Sequence, residues 1–376
     1  MAKLTELSTY GQSLWYDNIS RDLLDDGTIQ RLVDEGVTGM TSNPAIFEKA
    51  IIASSAYDEQ LRELALRGKS AQEIFEAMAV QDIRAAADIL RPVYDRTKGV
   101  DGYVSLEVSP FLAHNTAATA AEAARLAKWV ERPNLMIKIP ATPEGLPAIE
   151  QSLAAGLNIN ITLIFSRASY AAVMEAYLKA LERRASAGQP IDGIASVASF
   201  FVSRVDTLID KLLDEKAAAD PASQARLKAL QGQAAVANAR LAYQLFKEKF
   251  SGPRWDALTA KGARVQRPLW ASTSTKNPAY RDVIYVEELI GPHTVNTAPG
   301  QTIDAFRDHG VARATLDTQV KESKALEQSL ADAGIDLDWV TDKLLDDAVK
   351  LFADPFQKLL DAIEAKRRTF VGEPAR

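Results

Sequence analysis

One lysine lies inside an otherwise aliphatic run, Leu135-Met136-Ile137-Lys138-Ile139-Pro140. Such a short apolar run is typical of a buried β-strand. Removing an ammonium group from water is costly, and burial lowers the pKa of an amine. The neutral amine that results can attack a carbonyl carbon and form an imine. Lys138 therefore predicts Schiff-base chemistry, with a purely structural ion pair to Glu107 as the alternative.

Polar side chains also stand at or near the ends of other apolar runs. Carboxylates, amides and hydroxyls around a lysine could bind a polyhydroxylated substrate and move its protons. Taken singly, each has an ordinary interpretation, since helix caps and turns use the same residue types. Their shared position at strand ends favours one functional site instead. They are Asp17, Asn43, Glu107, Asn158, Asn160, Thr162, Ser199 and Arg204, the last one turn beyond its strand.

The elements that must position these residues are eight short apolar runs separated by longer segments of helical period. Strands that are almost continuously apolar are buried on both faces, and their alternation with helices indicates a parallel sheet. No Gly-rich turn follows the first run, as a doubly wound open sheet would require. We therefore predict an α/β fold, a single (β/α)8 barrel over residues 1–376 with function at the C-terminal strand ends. The runs are Ser13–Asp17, Thr38–Asn43, Val104–Pro110, Leu135–Pro140, Leu157–Phe165, Ile194–Val202, Pro268–Thr273 and Thr294–Pro299. The clearest helical segments are Ala71–Tyr94, Asn115–Val130, Arg167–Ala187 and Gln233–Phe250.

Two stretches exceed a minimal barrel. Lys211–Gln231 is polar and is expected to be an exposed extension of the helical layer. Residues 311–376 are expected to form a helical extension packed on the barrel, in which Leu337–Lys366 carries one apolar stripe. Pro355 predicts a bend or break in that helix. The stripe either packs on the outer helices or crosses the barrel mouth and shields the site from water.

Composition limits the classes of function. The net charge is -6 and no Lys/Arg cluster interleaves with aromatics, so we expect no nucleic-acid partner. The first residues lack a signal-peptide core, and no apolar stretch approaches the roughly 20 residues that cross a bilayer. There is no cysteine, and the three histidines show no ligand spacing, so we expect no metal site. These features predict a soluble cytoplasmic protein without membrane contact, and no obligate protein partner is evident.

At the residues singled out above, the chain resembles the longer bacterial branch of the transaldolase family. One matching segment would be weak support, but seven occur in order over essentially the whole sequence. They are Gly39-Met40-Thr41-Ser42-Asn43-Pro44, Ser105-Leu106-Glu107-Val108, Met136-Ile137-Lys138-Ile139-Pro140-Ala141-Thr142, Asn158-Ile159-Asn160-Ile161-Thr162-Leu163-Ile164-Phe165-Ser166, Ser199-Phe200-Phe201-Val202-Ser203-Arg204-Val205-Asp206, Trp270-Ala271-Ser272-Thr273-Ser274-Thr275-Lys276-Asn277 and His293-Thr294-Val295-Asn296-Thr297.

The resemblance implies a cofactor-free (β/α)8 enzyme of the non-oxidative pentose phosphate pathway. Such an enzyme moves a dihydroxyacetone unit from sedoheptulose 7-phosphate to glyceraldehyde 3-phosphate, giving erythrose 4-phosphate and fructose 6-phosphate. By position, Lys138 would form the imine and Asp17 would be the acid/base of carbon–carbon cleavage. Glu107 and Thr162 would hold a water and shuttle protons during imine formation.

The resemblance also implies the groups that bind substrate. Asn43, Asn160 and Ser199 would hold the three-carbon unit, and Arg204 would bind phosphate through its planar fork. Shorter family members carry a second arginine in an Ala-Ser-Phe-Arg-Asn context, where this chain reads Ala271-Ser272-Thr273-Ser274-Thr275-Lys276-Asn277. Lys276 supplies charge there without the fork.

Two other functions stay open at this point. A fructose 6-phosphate aldolase shares the barrel and the lysine but releases free dihydroxyacetone; members with that activity are much shorter. A catalytically inactive barrel could instead bind sugar phosphates as a sensor or scaffold. The presence of nucleophile, acid and base together favours the transferase, because a sensor needs no neutral buried amine.

Overall fold

The computed structural model describes residues 3–372, and its centre is a closed barrel of eight parallel strands in chain order. The predicted (β/α)8 fold is confirmed. Every predicted run contains a strand, although several strands are shorter than predicted or begin one residue earlier. The strands are β1 Gln12–Asp17, β2 Val37–Thr41, β3 Val104–Glu107, β4 Leu135–Pro140, β5 Ile159–Ile164, β6 Ser196–Phe201, β7 Arg267–Ala271 and β8 Thr294–Ala298.

The register of the barrel brings the chemical residues together. β3 pairs with β4 so that Glu107 stands beside Lys138, and β4 pairs with β5 so that Lys138 stands beside Asn160. β1 closes the barrel by pairing with both β2 and β8. Every residue of β4, β5 and β6 is buried, as expected for parallel strands covered by helices outside and side chains inside.

The barrel is surrounded by helices whose bounds lie close to those predicted. The long α6 begins with a capping box, in which Ser70 and Glu73 satisfy each other's backbone amides. The described helices are α1 Lys3–Thr9, α2 Arg21–Asp25, α3 Thr28–Asp34, α4 Pro44–Ala53, α5 Asp58–Leu66, α6 Ala71–Arg96, α7 Thr116–Val130, α8 Gly145–Ala154, α9 Arg167–Ser186, α10 Ser203–Ala219, α11 Gln224–Lys228, α12 Ala234–Lys249, α13 Pro253–Thr259, α14 Ile284–Glu287, α15 Gly300–His309, α16 Val320–Asp332 and α17 Leu337–Val371. No helix within residues 3–372 combines the length and apolarity needed to cross a membrane.

The two extra stretches differ in part from expectation. The stretch predicted as an exposed extension contributes the buried residues Leu213, Ala217 and Leu227, so it is partly packed. Of the predicted bend or break at Pro355, the break is wrong, because α17 runs through the proline as one helix of 35 residues. The carbonyl left without its helical partner belongs to Leu351, a residue that is 52% exposed. Burial of Phe352, Phe356 and Leu359 on the other face stabilises both halves of the helix.

Candidate active site

A cavity of about 360 Å³ opens at the C-terminal ends of the strands. It is formed by residues from strands β1, β2, β4, β5, β6, β7 and β8 together with helices α4, α10, α15 and α17. Side chains that could act on a phosphorylated sugar line its wall. They are Asp17, Asn43, Lys138, Thr162, Ser199, Arg204 and Lys276.

Lys138 is the buried amine of this cavity. Its Nζ donates a hydrogen bond to the backbone oxygen of Ser42 at 3.0 Å and lies 3.1 Å from Oε2 of Glu107. Both side chains are nearly inaccessible, with 6% and 5% exposure. The ion pair considered as an alternative from sequence therefore exists. A purely structural pair has no need of an open cavity, whereas Lys138 lines one.

The two carboxylates near Lys138 occupy an environment that favours their protonated forms. Burial raises the pKa of Asp17, an effect that the charge of Lys138 and a 2.6 Å hydrogen bond from Thr41 partly offset. Burial likewise raises the pKa of Glu107, with Lys138 lowering it and the nearby Asp17 raising it further. A carboxyl group whose pKa moves toward the working pH can both accept and release a proton.

The amides lie at different depths. Asn160 is fully buried behind the cavity wall, where its Nδ2 donates to Ser105 Oγ at 2.9 Å and its Oδ1 accepts from Ser199 Oγ at 2.7 Å. Ser199 itself lines the cavity. Asn158 precedes β5 and accepts from the backbone amide of Ala195, so its predicted place at the rim is wrong. It stands at the opposite end of its strand.

Asn43 combines two predicted roles. Its Oδ1 accepts the backbone amide of Ile46 at 3.0 Å and so caps α4. The residue also lines the cavity, and its amide nitrogen is the group left for a ligand. The cap fixes the side chain before any ligand arrives.

A bulge in β5 lies next to Thr162. Leu163 has a φ of 61°, a region that costs a non-glycine residue about 1–3 kcal/mol, and the pairing with β6 shifts between Ile161 and Ile164. The regular alternation of side chains between the two faces of β5 therefore ends at Thr162. Its Oγ1 is buried and has no hydrogen-bond partner among residues 3–372, and the residue lines the cavity.

Positive charge is concentrated at the outer part of the cavity. Arg204 has no carboxylate partner in the described part of the chain; its guanidinium lies 5.6 Å from the centre of the Phe201 ring, and burial lowers its pKa. Burial lowers the pKa of Lys276, the charges of Arg204 and Lys49 lower it further, and the charge of Asp17 partly offsets them. Three cations beside one carboxyl group leave an excess of positive charge, which indicates an anion-binding site.

Helix α17 covers part of this cavity. The centre of the Phe352 ring lies 5.7 Å from Lys138 Nζ, and Phe352 forms part of the wall. One turn later, Phe356 packs against Phe75 and Phe111, with ring centres 5.2 and 5.3 Å away. These aromatic contacts anchor the helix where it passes the lysine.

Comparison with known proteins agrees with this geometry. The family described as Transaldolase/Fructose-6-phosphate aldolase matches residues 14–363. The chain belongs to this family. It is 48% identical to a transaldolase of Trichodesmium erythraeum (strain IMS101) and 51% identical to one of Acidothermus cellulolyticus (strain ATCC 43068 / DSM 8971 / 11B). Each alignment covers 96% of this chain, and 97% and 95% of the two relatives respectively. A protein of Nostoc punctiforme (strain ATCC 29133 / PCC 73102) named transaldolase 2 is 49% identical over 96% of this chain and 97% of its own. These near-complete matches support an enzyme with transaldolase activity.

Within this family member, the fold gathers most of the predicted site residues and adds others. Glu107 and Asn160 stand behind the cavity wall. Glu107 contacts Lys138, and Asn160 contacts Ser199. Lys49, Gln301 and Phe352 line the cavity but were not predicted as site residues. Lys49 follows Ala45 by four residues and Ile46 by three, and all three line the cavity from one face of α4. Because α4 was not among the predicted helices, the sequence analysis had no signal for this face.

Proposed function

We propose that this enzyme transfers a dihydroxyacetone unit from sedoheptulose 7-phosphate to glyceraldehyde 3-phosphate through an imine on Lys138. The products are erythrose 4-phosphate and fructose 6-phosphate, as in the non-oxidative pentose phosphate pathway. The observation that carries this proposal is the arrangement of one cavity. A buried amine stands beside two carboxyl groups at its base, while three cations, Arg204, Lys276 and Lys49, lie farther out.

The reaction begins with attack by Lys138 Nζ on the ketone carbon, followed by loss of water to give the protonated imine. Asp17 then takes the proton of the C4 hydroxyl, the bond between C3 and C4 breaks, and its electron pair enters the imine system. The aldose phosphate leaves and a three-carbon enamine stays on Lys138. Attack of this enamine on the acceptor aldehyde forms the new bond, and Asp17 returns the proton to the new hydroxyl. Addition of water to the imine releases the product ketose.

Glu107 and Thr162 are proposed to serve the steps in which water leaves or enters. Glu107 Oε2 is 3.1 Å from the amine, within reach of the protons exchanged at nitrogen. The unpartnered Thr162 hydroxyl can hold a water molecule near the imine carbon. The cleavage step requires no cofactor, because the protonated imine accepts the electron pair of the breaking carbon–carbon bond.

The three-carbon unit must stay bound until an acceptor arrives. Asn43 can donate from its amide nitrogen, and Ser199 can bind a substrate hydroxyl. Asn160 is assigned a different role from the one expected from sequence. Both of its amide atoms already bind protein hydroxyls, so it orients Ser199 and Ser105 instead of contacting the sugar.

The phosphate is assigned to Arg204, Lys276 and Lys49. Arg204 supplies the two-pronged contact, and the lysines add charge. Because phosphorylated sugars are charged and do not cross membranes unaided, we also propose a cytoplasmic location, which cell fractionation would test. The family includes aldolases, so release of free dihydroxyacetone is the second activity to measure.

Borohydride trapping tests the proposal. Incubation with fructose 6-phosphate and reduction should attach a three-carbon adduct to the peptide that contains Lys138 and to no other. Lys138→Ala should abolish both the adduct and turnover, whereas Lys276→Ala should still give the adduct at saturating substrate. Addition of erythrose 4-phosphate before the reduction should instead discharge the intermediate as sedoheptulose 7-phosphate.

Three results would contradict the proposal. An adduct on another lysine would assign the nucleophile elsewhere. Rapid release of dihydroxyacetone without an acceptor would identify an aldolase, and binding of fructose 6-phosphate without any adduct would favour a non-catalytic sugar-phosphate protein.

A further inference from the structure

Two aspartates on α10 bind two tyrosines that follow β7. Tyr285 donates its hydroxyl to Asp206 Oδ2 at 2.7 Å, and Tyr280 donates to Asp210 Oδ2 at the same distance. The aspartates are one helical turn apart and only 1% and 9% exposed. We call these four residues the aspartate–tyrosine clamp.

The carboxylates of the clamp are held from a second side. Asp206 Oδ1 accepts the backbone amide of Ala235 at 2.7 Å, and Asp210 Oδ1 accepts that of Gly232 at 2.9 Å. The Tyr280 ring also lies against Gly232, where a Cβ would come within 2.7 Å of the ring. Each aspartate therefore has both oxygens engaged, and the tyrosine positions are closely defined.

The clamp joins the two elements that carry cations of the site. Arg204 is the second residue of α10, two residues before Asp206. Lys276 lies in residues 272–283, which form neither helix nor strand between β7 and α14. The hydrogen bond from Thr275 Oγ1 to the backbone oxygen of Arg281 shapes this loop but ties it only to itself. Tyr280, four residues after Lys276, ties the loop directly to α10 on one side of the lysine, and Ser272, four residues before it, bonds to Ser203 of α10 on the other.

We propose that the clamp positions Lys276 relative to Arg204, so that both cations meet one substrate phosphate. Its four members are positioning residues, since none of them lines the cavity. A lysine has a flexible stem and no fixed fork, so the place of its backbone determines where its charge can act. This assignment rests on the proposed function for the identity of the anion, but the geometry can be tested with inorganic phosphate alone.

The test is the dissociation constant of inorganic phosphate, measured calorimetrically on full-length variants. Tyr280→Phe removes one hydroxyl and leaves the ring against Gly232. We expect phosphate binding to weaken by about 2- to 30-fold, the usual range for residues that act through a network. In a Lys276→Ala background, Tyr280→Phe should cause no further loss, because the residue it positions is gone.

Asp214→Ala is the matched control. Asp214 stands one turn beyond Asp210 on α10, and its Oδ1 accepts from Gln231 Nε2 at 2.8 Å, outside the clamp. Its substitution should leave phosphate binding unchanged. Tyr285→Phe provides a second probe of the clamp, and circular dichroism verifies that each variant is folded.

Kinetics separates the clamp from a general structural role. Tyr280→Phe should raise the KM for fructose 6-phosphate, leave its kcat within about twofold, and leave the KM for unphosphorylated fructose unchanged. Equal loss of phosphate binding with and without Lys276 would overturn the proposal, as would unchanged binding in both tyrosine variants. If the wild type binds phosphate yet forms no adduct on Lys138, the proposed function fails while the clamp is still tested by the calorimetry.

Discussion

Substitution of Arg204 should remove the main phosphate contact while sparing the chemistry at Lys138. The guanidinium has no carboxylate partner among the described residues, so its removal leaves no protein anion unpaired. Arg204→Ala is therefore expected to affect the bound substrate more than the fold. Arg204→Lys keeps the charge but loses the planar fork and the stacking on Phe201, and an intermediate loss is expected.

The expected loss of binding free energy in Arg204→Ala follows from the charges that neighbour the phosphate. Removing one partner of a desolvated charged pair costs about 2–5 kcal/mol, because the other charge is then left unpaired. Here Lys276 and Lys49 stay near the phosphate, so the lower end of that range applies. A loss of about 2 kcal/mol is about 30-fold in kcat/KM for fructose 6-phosphate.

The assay measures the rate at which sedoheptulose 7-phosphate forms from erythrose 4-phosphate, with either fructose 6-phosphate or unphosphorylated fructose as donor. The loss should appear mainly in KM for the phosphorylated donor and be nearly absent for fructose. Borohydride should still trap an adduct on Lys138 at saturating donor. An equal loss for both donors would refute the phosphate assignment, because Arg204 would then act on the common three-carbon end.

Three further results are expected. Asp17→Asn should lower transfer by about 10²- to 10⁴-fold yet still allow imine trapping, whereas Glu107→Gln should slow trapping itself; the opposite pattern would reverse the two roles. Phe352→Ala should raise the ratio of dihydroxyacetone release to transfer, because the ring covers Lys138, while Leu351→Ala, at a 52% exposed position beside it, should not; equal ratios would exclude a shielding role. Burial raises the pKa of Asp206 from its ordinary 3.8 to about 6. Its contribution to the free energy of unfolding is thus complete below the unfolded pKa and is lost as pH rises through about 6. Urea unfolding should therefore show Asp206→Asn costing less at pH near 7.5 than at pH near 4.5; an unchanged difference would contradict the raised pKa.

Helix α17 shows what sequence periodicity predicts about a helix and what it does not. Sequence periodicity predicts its apolar stripe, and Val340, Leu344, Phe352 and Phe356 are all buried. The same local reasoning predicts a bend or break at Pro355; no break occurs, because tertiary packing holds both halves of the helix. The path of α17 over Lys138 depends on contacts with helices far away in sequence, which periodicity does not encode.

The sequence by itself determined the barrel and most of its chemistry. Short apolar runs separated by helical segments specify a parallel sheet, and a lysine within one run specifies a buried amine, because both patterns are local. Only the tertiary structure decided which polar residues meet. Asn158 lies at the far end of its strand, Asn160 stands behind Ser199, and Lys49 joins the cations from a helix near the other end of the chain. The physical reason is that strand register and helix packing depend on contacts across the whole barrel.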